Sequence, residues 1–308
     1  MGSRKKNAAG GRAVALNVVE PYDFPLSLRV VRSFQPAAPE TDDRLRLAAR
    51  VGGKPAWIEI RQGPGLKGRL EAVSTPRSDN RRLRSLVEWT LNAGLDLAPF
   101  YRLAAKDRGL APLVRKLRGL KPMRPASLFE MAVVAVTEQQ ISMAAAAKMR
   151  SRLVLKFGER AGGLLVFPEP EALAKASLEE LRACGLSHAK ARYIHELSVK
   201  ITSRELDLDG LKTMSDDDAR EMIMSLTGFG RWSADYILVR GLARPDSVPV
   251  DDLGVRSVVG EYLGSGQRLS PLGVARKLER FRPYRGLLAF YLLADHRLGV
   301  LAKVSAGV

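Results

Sequence analysis

The sequence predicts an α+β amino-terminal domain followed by a larger all-helical domain, so that the chain is mostly helical overall. Three observations lead there. Strand-like runs and Gly/Pro turn signals crowd together before about residue 75. From about Leu97 onward, apolar residues recur at helical spacing and strand signals all but vanish. The chain has 308 residues, 46% of them hydrophobic, which is enough for two domains with real cores. The expected boundaries are a disordered basic tail over 1–12, an α+β domain over 13–96 and a helical domain over 97–304.

In chain order, VALNVV reads as a strand. PYDFPLSLRVVRSF starts with Pro and Asp and then spaces Leu28, Val31 and Phe34 as a short helix does. RLAARVGGKPAWIEIRQGPGLKGRLEAV gives β segments broken at Gly-Gly-Lys-Pro and Gly-Pro-Gly, the makings of an antiparallel sheet. NRRLRSLVEWTLN returns to helical spacing through Leu83, Leu86, Val87 and Leu91. Helical segments parted by Gly or Pro then succeed one another to RGLLAFYLLADHRLG. Ser127 and Ser215 are placed to cap two of them, Ser215 with Asp218 three residues on in a capping-box-like start.

The net charge is +17 and the pI about 10.3, which points to polyanionic partners, either nucleic acid or an anionic membrane. No apolar run has the length of a membrane span. MGSRKKNAAGGR lacks the apolar stretch of a signal peptide and the Ser/Thr of a myristoylation motif, so a cytoplasmic protein is expected, nucleoid-associated if prokaryotic. Cys184 is the only cysteine, which excludes disulfides and thiolate-based zinc or iron–sulfur sites; it is expected to be a small buried apolar group. His188, His195 and His296 are scattered with no carboxylate-rich pattern joining them, so no metal site is expected on side chains.

The most informative stretch is SLTGFGRWSADYILVRG. In Leu226-Thr227-Gly228-Phe229-Gly230 two glycines allow a tight reversal between helices, φ > 0 conformations included. The backbone amides of the turn and of the next helix can then face one anion, and Arg231 adds a cation. Such a site suits a nucleic-acid phosphate and reads no sequence. An ordinary Gly-capped helix corner would look the same. The downstream run VPVDDLGVR narrows the choice, because it places Asp251 and Asp252 after a Pro-containing loop.

In order and spacing, LTGFGRWSADYILVRG with VPVDDLGVR resembles the helix-hairpin-helix DNA glycosylase superfamily, and most closely its AlkA-type 3-methyladenine branch. PYDF, LAPFYRLAAKD, LAPLVRKLRGLKP and EQQISMAAAAKM look like that group too, so the likeness runs from about residue 14 to about 300. It implies an AlkA-like amino-terminal domain, a helix-hairpin-helix glycosylase domain and a monomer that binds double-stranded DNA containing a damaged base. The essential carboxylate of the branch falls on Asp252. A register taken from the endonuclease III branch would choose Asp251, which otherwise is expected as a helix N-cap or solvent-facing acid. Relatives that also nick the strand carry a Schiff-base lysine where this chain has Trp232, so a monofunctional enzyme is implied. Trp232 and Tyr236, one helical turn apart, match aromatic pocket positions, with Tyr284 and Leu293 as further pocket candidates; Leu293 stands where some relatives have a second tryptophan. Thr227, Gly228, Phe229, Gly230 and Arg231 would hold the DNA backbone. Gln139, Gln140 and Ile141 are the candidates for the side chain that fills the gap left by an everted base. Family hairpins often bind a monovalent cation through backbone carbonyls, which makes K⁺ or Na⁺ near Thr227 to Gly230 an expectation; no organic cofactor is implied. LRACGLSHAKARYIHEL has the same helix–Gly–helix shape, with Lys190 and Arg192 after its turn.

The chemistry implied is release of alkylated purines of the 3-methyladenine or 7-methylguanine type. A base alkylated at N3 or N7 already carries a positive charge and departs neutral, so one carboxylate facing the sugar suffices where other glycosidases use two. The alternatives are the same fold acting on hypoxanthine, uracil or 8-oxoguanine, or a non-catalytic hairpin DNA-binding protein.

Overall fold

The computed structural model describes residues 13–34, 43–62 and 69–305; the basic tail and the Gly63-Pro64-Gly65 turn lie outside the described residues. The amino-terminal part consists of strand β1 (Val14–Ala15), helix α1 (Phe24–Phe34), strands β2 (Arg44–Val51), β3 (Lys54–Gln62) and β4 (Leu70–Thr75), and helix α2 (Asn80–Thr90). The four strands form an antiparallel sheet in the order β1-β4-β3-β2. Val51 pairs with Lys54 across Gly52-Gly53, whose φ angles of 64° and 78° are those of a tight type I′ hairpin. Alternation along β3 sends Ala56, Ile58 and Ile60 into a core with Leu70 and Ala72 of β4, Leu83 and Val87 of α2, and Phe24 and Leu28 of α1. Only Val14–Ala15 of the VALNVV run pairs as a strand.

The remaining helices are α3 (Ala98–Ala104), α4 (Ala111–Lys116), α5 (Leu128–Glu138), α6 (Met143–Phe157), α7 (Pro170–Lys175), α8 (Leu178–Arg182), α9 (His188–Thr202), α10 (Asp216–Met224), α11 (Arg231–Arg240), α12 (Leu253–Leu263), α13 (Pro271–Leu278) and α14 (Arg285–Ser305). Serine hydroxyls cap many of them. Ser127 accepts from the amide of Glu130 and Ser215 from that of Asp218, as expected, and Ser142, Ser187 and Ser270 do the same for α6, α9 and α13. None of the helices described is long and apolar enough to cross a membrane.

The expectation of an all-helical second part needs one correction. Strands β5 (Glu159–Ala161) and β6 (Leu164–Val166) form a small antiparallel hairpin between α6 and α7. Three-residue strands joined by Gly162-Gly163 are too short to show a period. The hairpin lies against β2 and β3. Gly162 packs on Trp57 so closely that a side chain there would clash, and Arg50 of β2 pairs with Glu159 and Glu169 at 2.5 and 2.7 Å. The hairpin therefore joins the amino-terminal sheet to the helices.

The helical part has two cores rather than one. The first gathers α5, α9, α10 and α11 around residues such as Val133, Ile194, Ile223 and Leu238. The second gathers α3, α4, α12, α13 and α14 around Phe100, Val259, Leu288 and Tyr291. Helix α1 serves two neighbours, with Phe24 and Leu28 in the sheet core and Leu26 and Val30 in the second helical core. The lobes meet where α11 runs into the loop that starts α12.

Lys121 ties these parts together. It is 1% exposed, and its ammonium donates to the carbonyls of Val19 and Ala93 at 2.7 and 2.8 Å. Replacing it by Met would strand two buried carbonyls, so Lys121→Met is expected to cost about 2–4 kcal/mol in urea denaturation. The exposed Lys116, paired with Asp295, should cost under about 1 kcal/mol when changed to Met. Equal losses would contradict this role for Lys121.

Candidate active site at the glycine hairpin

The two glycines of the hairpin do different work. Gly228 has φ +85°, and a Cβ at its position would be driven into the ring of Tyr193 from α9, so both backbone and packing require glycine. Gly230 has φ −94° and ψ −173°, which any residue can adopt, and no atom lies within 4 Å of where its Cβ would be. It is the N-cap of α11, and among the described residues no side chain caps the opening amides of this ten-residue helix. Between the glycines Phe229 turns into the first helical core, 4% exposed, while Thr227 and Gly230 stay exposed. Arg231 bonds through Nε to Oδ2 of Asp235 at 2.8 Å and remains 61% exposed. Asp235 is buried and also accepts from Arg220 at 2.8 Å and Ser247 at 3.0 Å. This set-up fixes Arg231 beside the bare helix end.

Asp252 begins α12. Its Oδ1 accepts from the amide of Val255 at 3.0 Å, and its Oδ2 from the indole N–H of Trp232 at 3.1 Å. The N-cap role expected for Asp251 thus belongs to Asp252; Asp251 points to solvent. A carboxylate at a helix N-terminus is favoured by the helix dipole. The Trp232 ring stacks on Tyr236, centroids 4.9 Å apart and planes 19° apart. The two rings are in direct contact, so a third ring must lie against an outer face of the pair. The Tyr236 hydroxyl donates to Glu138 at 2.8 Å, and Glu138 pairs with Arg150 at 2.9 Å. Burial first, then the charge of Glu138, pushes the Tyr236 phenol above its ordinary pKa, so it keeps its proton. A continuous wall therefore runs from Asp252 through Trp232, Tyr236 and Glu138 to Arg150.

Leu293 of α14 is half-buried, and a Cβ at Gly254, in the first turn of α12, would meet both it and Asp252 Oδ1. It thus lies with the site. Tyr284, like Leu293, packs partly against the second core, its ring centroid 6.0 Å from that of Phe100. Phe290 is buried there too, and Arg285 is held by carboxylates, Asp246 at 2.7 Å and Glu279 at 3.0 Å.

The α5–α6 connection, residues 139–142, sits beside the hairpin. Gln139 points inward and donates to the carbonyl of Gly228 at 2.8 Å and the hydroxyl of Ser233 at 3.1 Å. Gln140, at φ +55°, and Ile141, 37% exposed, point outward. The LRACGLSHAKARYIHEL turn has the expected shape, with Gly185 at φ +94° and Ser187 capping α9. Lys190 faces the protein and not the solvent; its ammonium donates to the carbonyls of Thr137 and Gln139 at 2.9 and 2.8 Å. Reading the residues in order missed Glu138, Asp235 and the inward turn of Lys190. Their partners lie 12 to 98 positions away in the chain, or, for Asp235 and Arg231, one helical turn away on the same face. Glu138 directly precedes the two glutamines, which is the one local hint it offered.

The contrast between the glycines is measurable. Gly228→Ala is expected to lower stability by about 2 kcal/mol or more, and Gly230→Ala by under about 1 kcal/mol, in denaturant titrations. The reverse order would contradict the roles assigned to the two positions.

This arrangement has counterparts among known proteins. The profile of the HhH-GPD superfamily base excision DNA repair proteins matches residues 133–283, which include the hairpin, the stacked aromatic pair and Asp252. The DNA-3-methyladenine glycosylase of Bacillus subtilis is 32% identical over 177 residues, 56% of this chain and 58% of that protein, so the match spans less than two thirds of that relative's length. A putative DNA-3-methyladenine glycosylase, YfjP, of the same organism is 26% identical over 286 residues, 90% of this chain and 96% of that one. Among solved structures, the 3-methyladenine DNA-glycosylase from Archaeoglobus fulgidus superposes with a TM-score of 0.78 at 27% identity, covering 92% of this chain and 98% of its own. Over residues 133–283, with the hairpin and the Asp252–Trp232 contact inside them, the chain thus matches the HhH-GPD superfamily of base excision DNA repair proteins.

Proposed function

We propose that this protein is a monofunctional DNA glycosylase that everts alkylated purines from duplex DNA and hydrolyses their N-glycosidic bond, leaving an abasic site. The observation that carries the reading is the Asp252 carboxylate, held by Val255 and by the indole of Trp232 next to a helix end open to phosphate. In this reading, the amides at the start of α11 and Arg231 grip a backbone phosphate. Gln140 and Ile141 enter the space left by the everted base. The base, cationic when alkylated at N3 or N7, lies against the aromatic pair, an attraction worth about 1–2 kcal/mol when desolvated. It leaves as a neutral molecule, so no general acid is required. Asp252 faces the sugar as positive charge develops and orients the attacking water. Trp232 occupies the place where a lyase would carry its Schiff-base amine, so the strand stays intact.

The several relatives named as 3-methyladenine glycosylases support alkylated purines over other lesions. The basic charge of the chain supports DNA as the partner. No organic cofactor enters the reaction. A K⁺ or Na⁺ bound by carbonyls of Thr227 to Gly230 would share that of Gly228 with the Gln139 amide, which uses one of its two lone pairs.

Asp252→Asn is expected to lower release of 3-methyladenine from methylated duplex DNA by about a hundredfold or more while leaving duplex affinity within a few-fold; Asp251→Asn should behave nearly as the unaltered protein. Strand breaks in the treated DNA should appear only after hot alkali. Full base release by Asp252→Asn would refute the assignment, and breaks without alkali would refute the monofunctional reading.

A further inference from the structure

We propose that Lys190 is a positioning residue for base eversion: its ammonium, set between the carbonyls of Thr137 and Gln139, locks the α5–α6 loop so that Gln140 projects in its left-handed conformation toward the duplex. The inference rests on the glycosylase reading of the Asp252 site.

Gln140 has φ +55°, a region that costs an L-residue free energy and persists only where the flanking chain is fixed. Both flanks are fixed here. On the amino side, Lys190 bonds the last carbonyls of α5, Thr137 at 2.9 Å and Gln139 at 2.8 Å. Gln139 in turn bonds Gly228 and Ser233. On the carboxyl side, Ser142 caps α6 through the amide of Ala145. Lys190 is 9% exposed, and burial lowers its pKa. Placing an ammonium there has a desolvation cost, which the negative end of α5 and two charge-assisted hydrogen bonds offset.

Helix α9 also carries Tyr193, one turn beyond Lys190 on the same face, and Tyr193 is the ring that fits under Gly228. One helix thus props both devices: Lys190 holds the loop that would enter the duplex, and Tyr193 holds the turn that would grip phosphate. Gln139 bonds the two together. Eversion at the loop and grip at the hairpin are therefore set at a fixed separation before DNA arrives, which removes an ordering cost at the moment of binding.

The test is Lys190→Met, which keeps length and loses the donors, with Lys190→Arg as a milder variant that keeps the charge. Each would act on the same alkylated base presented opposite its normal partner and opposite an abasic analogue, where unpairing is already done. On the paired duplex kcat/KM should fall about tenfold or more for Lys190→Met, and on the abasic-opposed duplex it should stay within about two- to threefold. Lys190→Arg should show a smaller loss with the same substrate pattern. With 2-aminopurine at the target position, the fluorescence rise on binding should shrink for both variants. Equal losses on both duplexes, no loss on either, or an unchanged 2-aminopurine signal would each overturn the proposal. Absence of base release by the unaltered protein would instead sink the glycosylase reading, and the 2-aminopurine signal would still decide the role of Lys190.

Discussion

Asp252 has both carboxylate oxygens engaged inside the protein, one on a backbone amide of its own helix and one on the indole N–H of Trp232. The second bond crosses from one helical core to the other, because Trp232 belongs to α11 and Asp252 to α12. A lone carboxylate on a loop would rotate and hydrate. Here two donors fix its plane while leaving lone pairs that no donor among the described residues occupies. Pinning the anion before charge develops is what electrostatic catalysis needs, since no reorganisation is then left for the reacting state. The two-core architecture, the bare end of α11 and the aromatic wall all take their functional meaning from that placement.

The structure repeatedly uses buried charge to hold backbone, and not only to pair with other charge. Lys121 ties the amino-terminal part to the helices through two carbonyls. Lys190 does the same for the loop before Gln140. Asp235 gathers Arg220, Arg231 and Ser247 under the hairpin. A buried polar group that is fully bonded specifies one geometry, and a partly bonded one is costly, so these residues sit where position matters.

Much of this was legible in the residues. The switch from period two to helical spacing separated the sheet from the helices, the serine caps fell where Ser127 and Ser215 indicated, and the Gly228 turn was recognisable from its composition. The rest was hidden for physical reasons. The β5–β6 hairpin has three residues per strand and is specified by its contact with Trp57. Gly230 looks like a second left-handed glycine and is an extended one whose value is open space. Gln139 and Gln140 are chemically identical neighbours, yet the chain turns one to the hairpin carbonyl and the other outward. Tyr284 and Leu293 both pack partly against the second helical core, a tertiary placement with no local signature.

The most direct measurement of the central claim uses a duplex whose abasic position carries a protonated pyrrolidine, which mimics the cationic sugar, against one carrying neutral tetrahydrofuran. If the fixed Asp252 carboxylate faces the sugar, the unaltered protein should bind the cationic duplex at least about a hundredfold more tightly, and substitution of Asp252 by Asn should erase the difference. Equal affinity for the two duplexes in the unaltered protein, or a preference that survives the substitution, would show that the anion acts elsewhere.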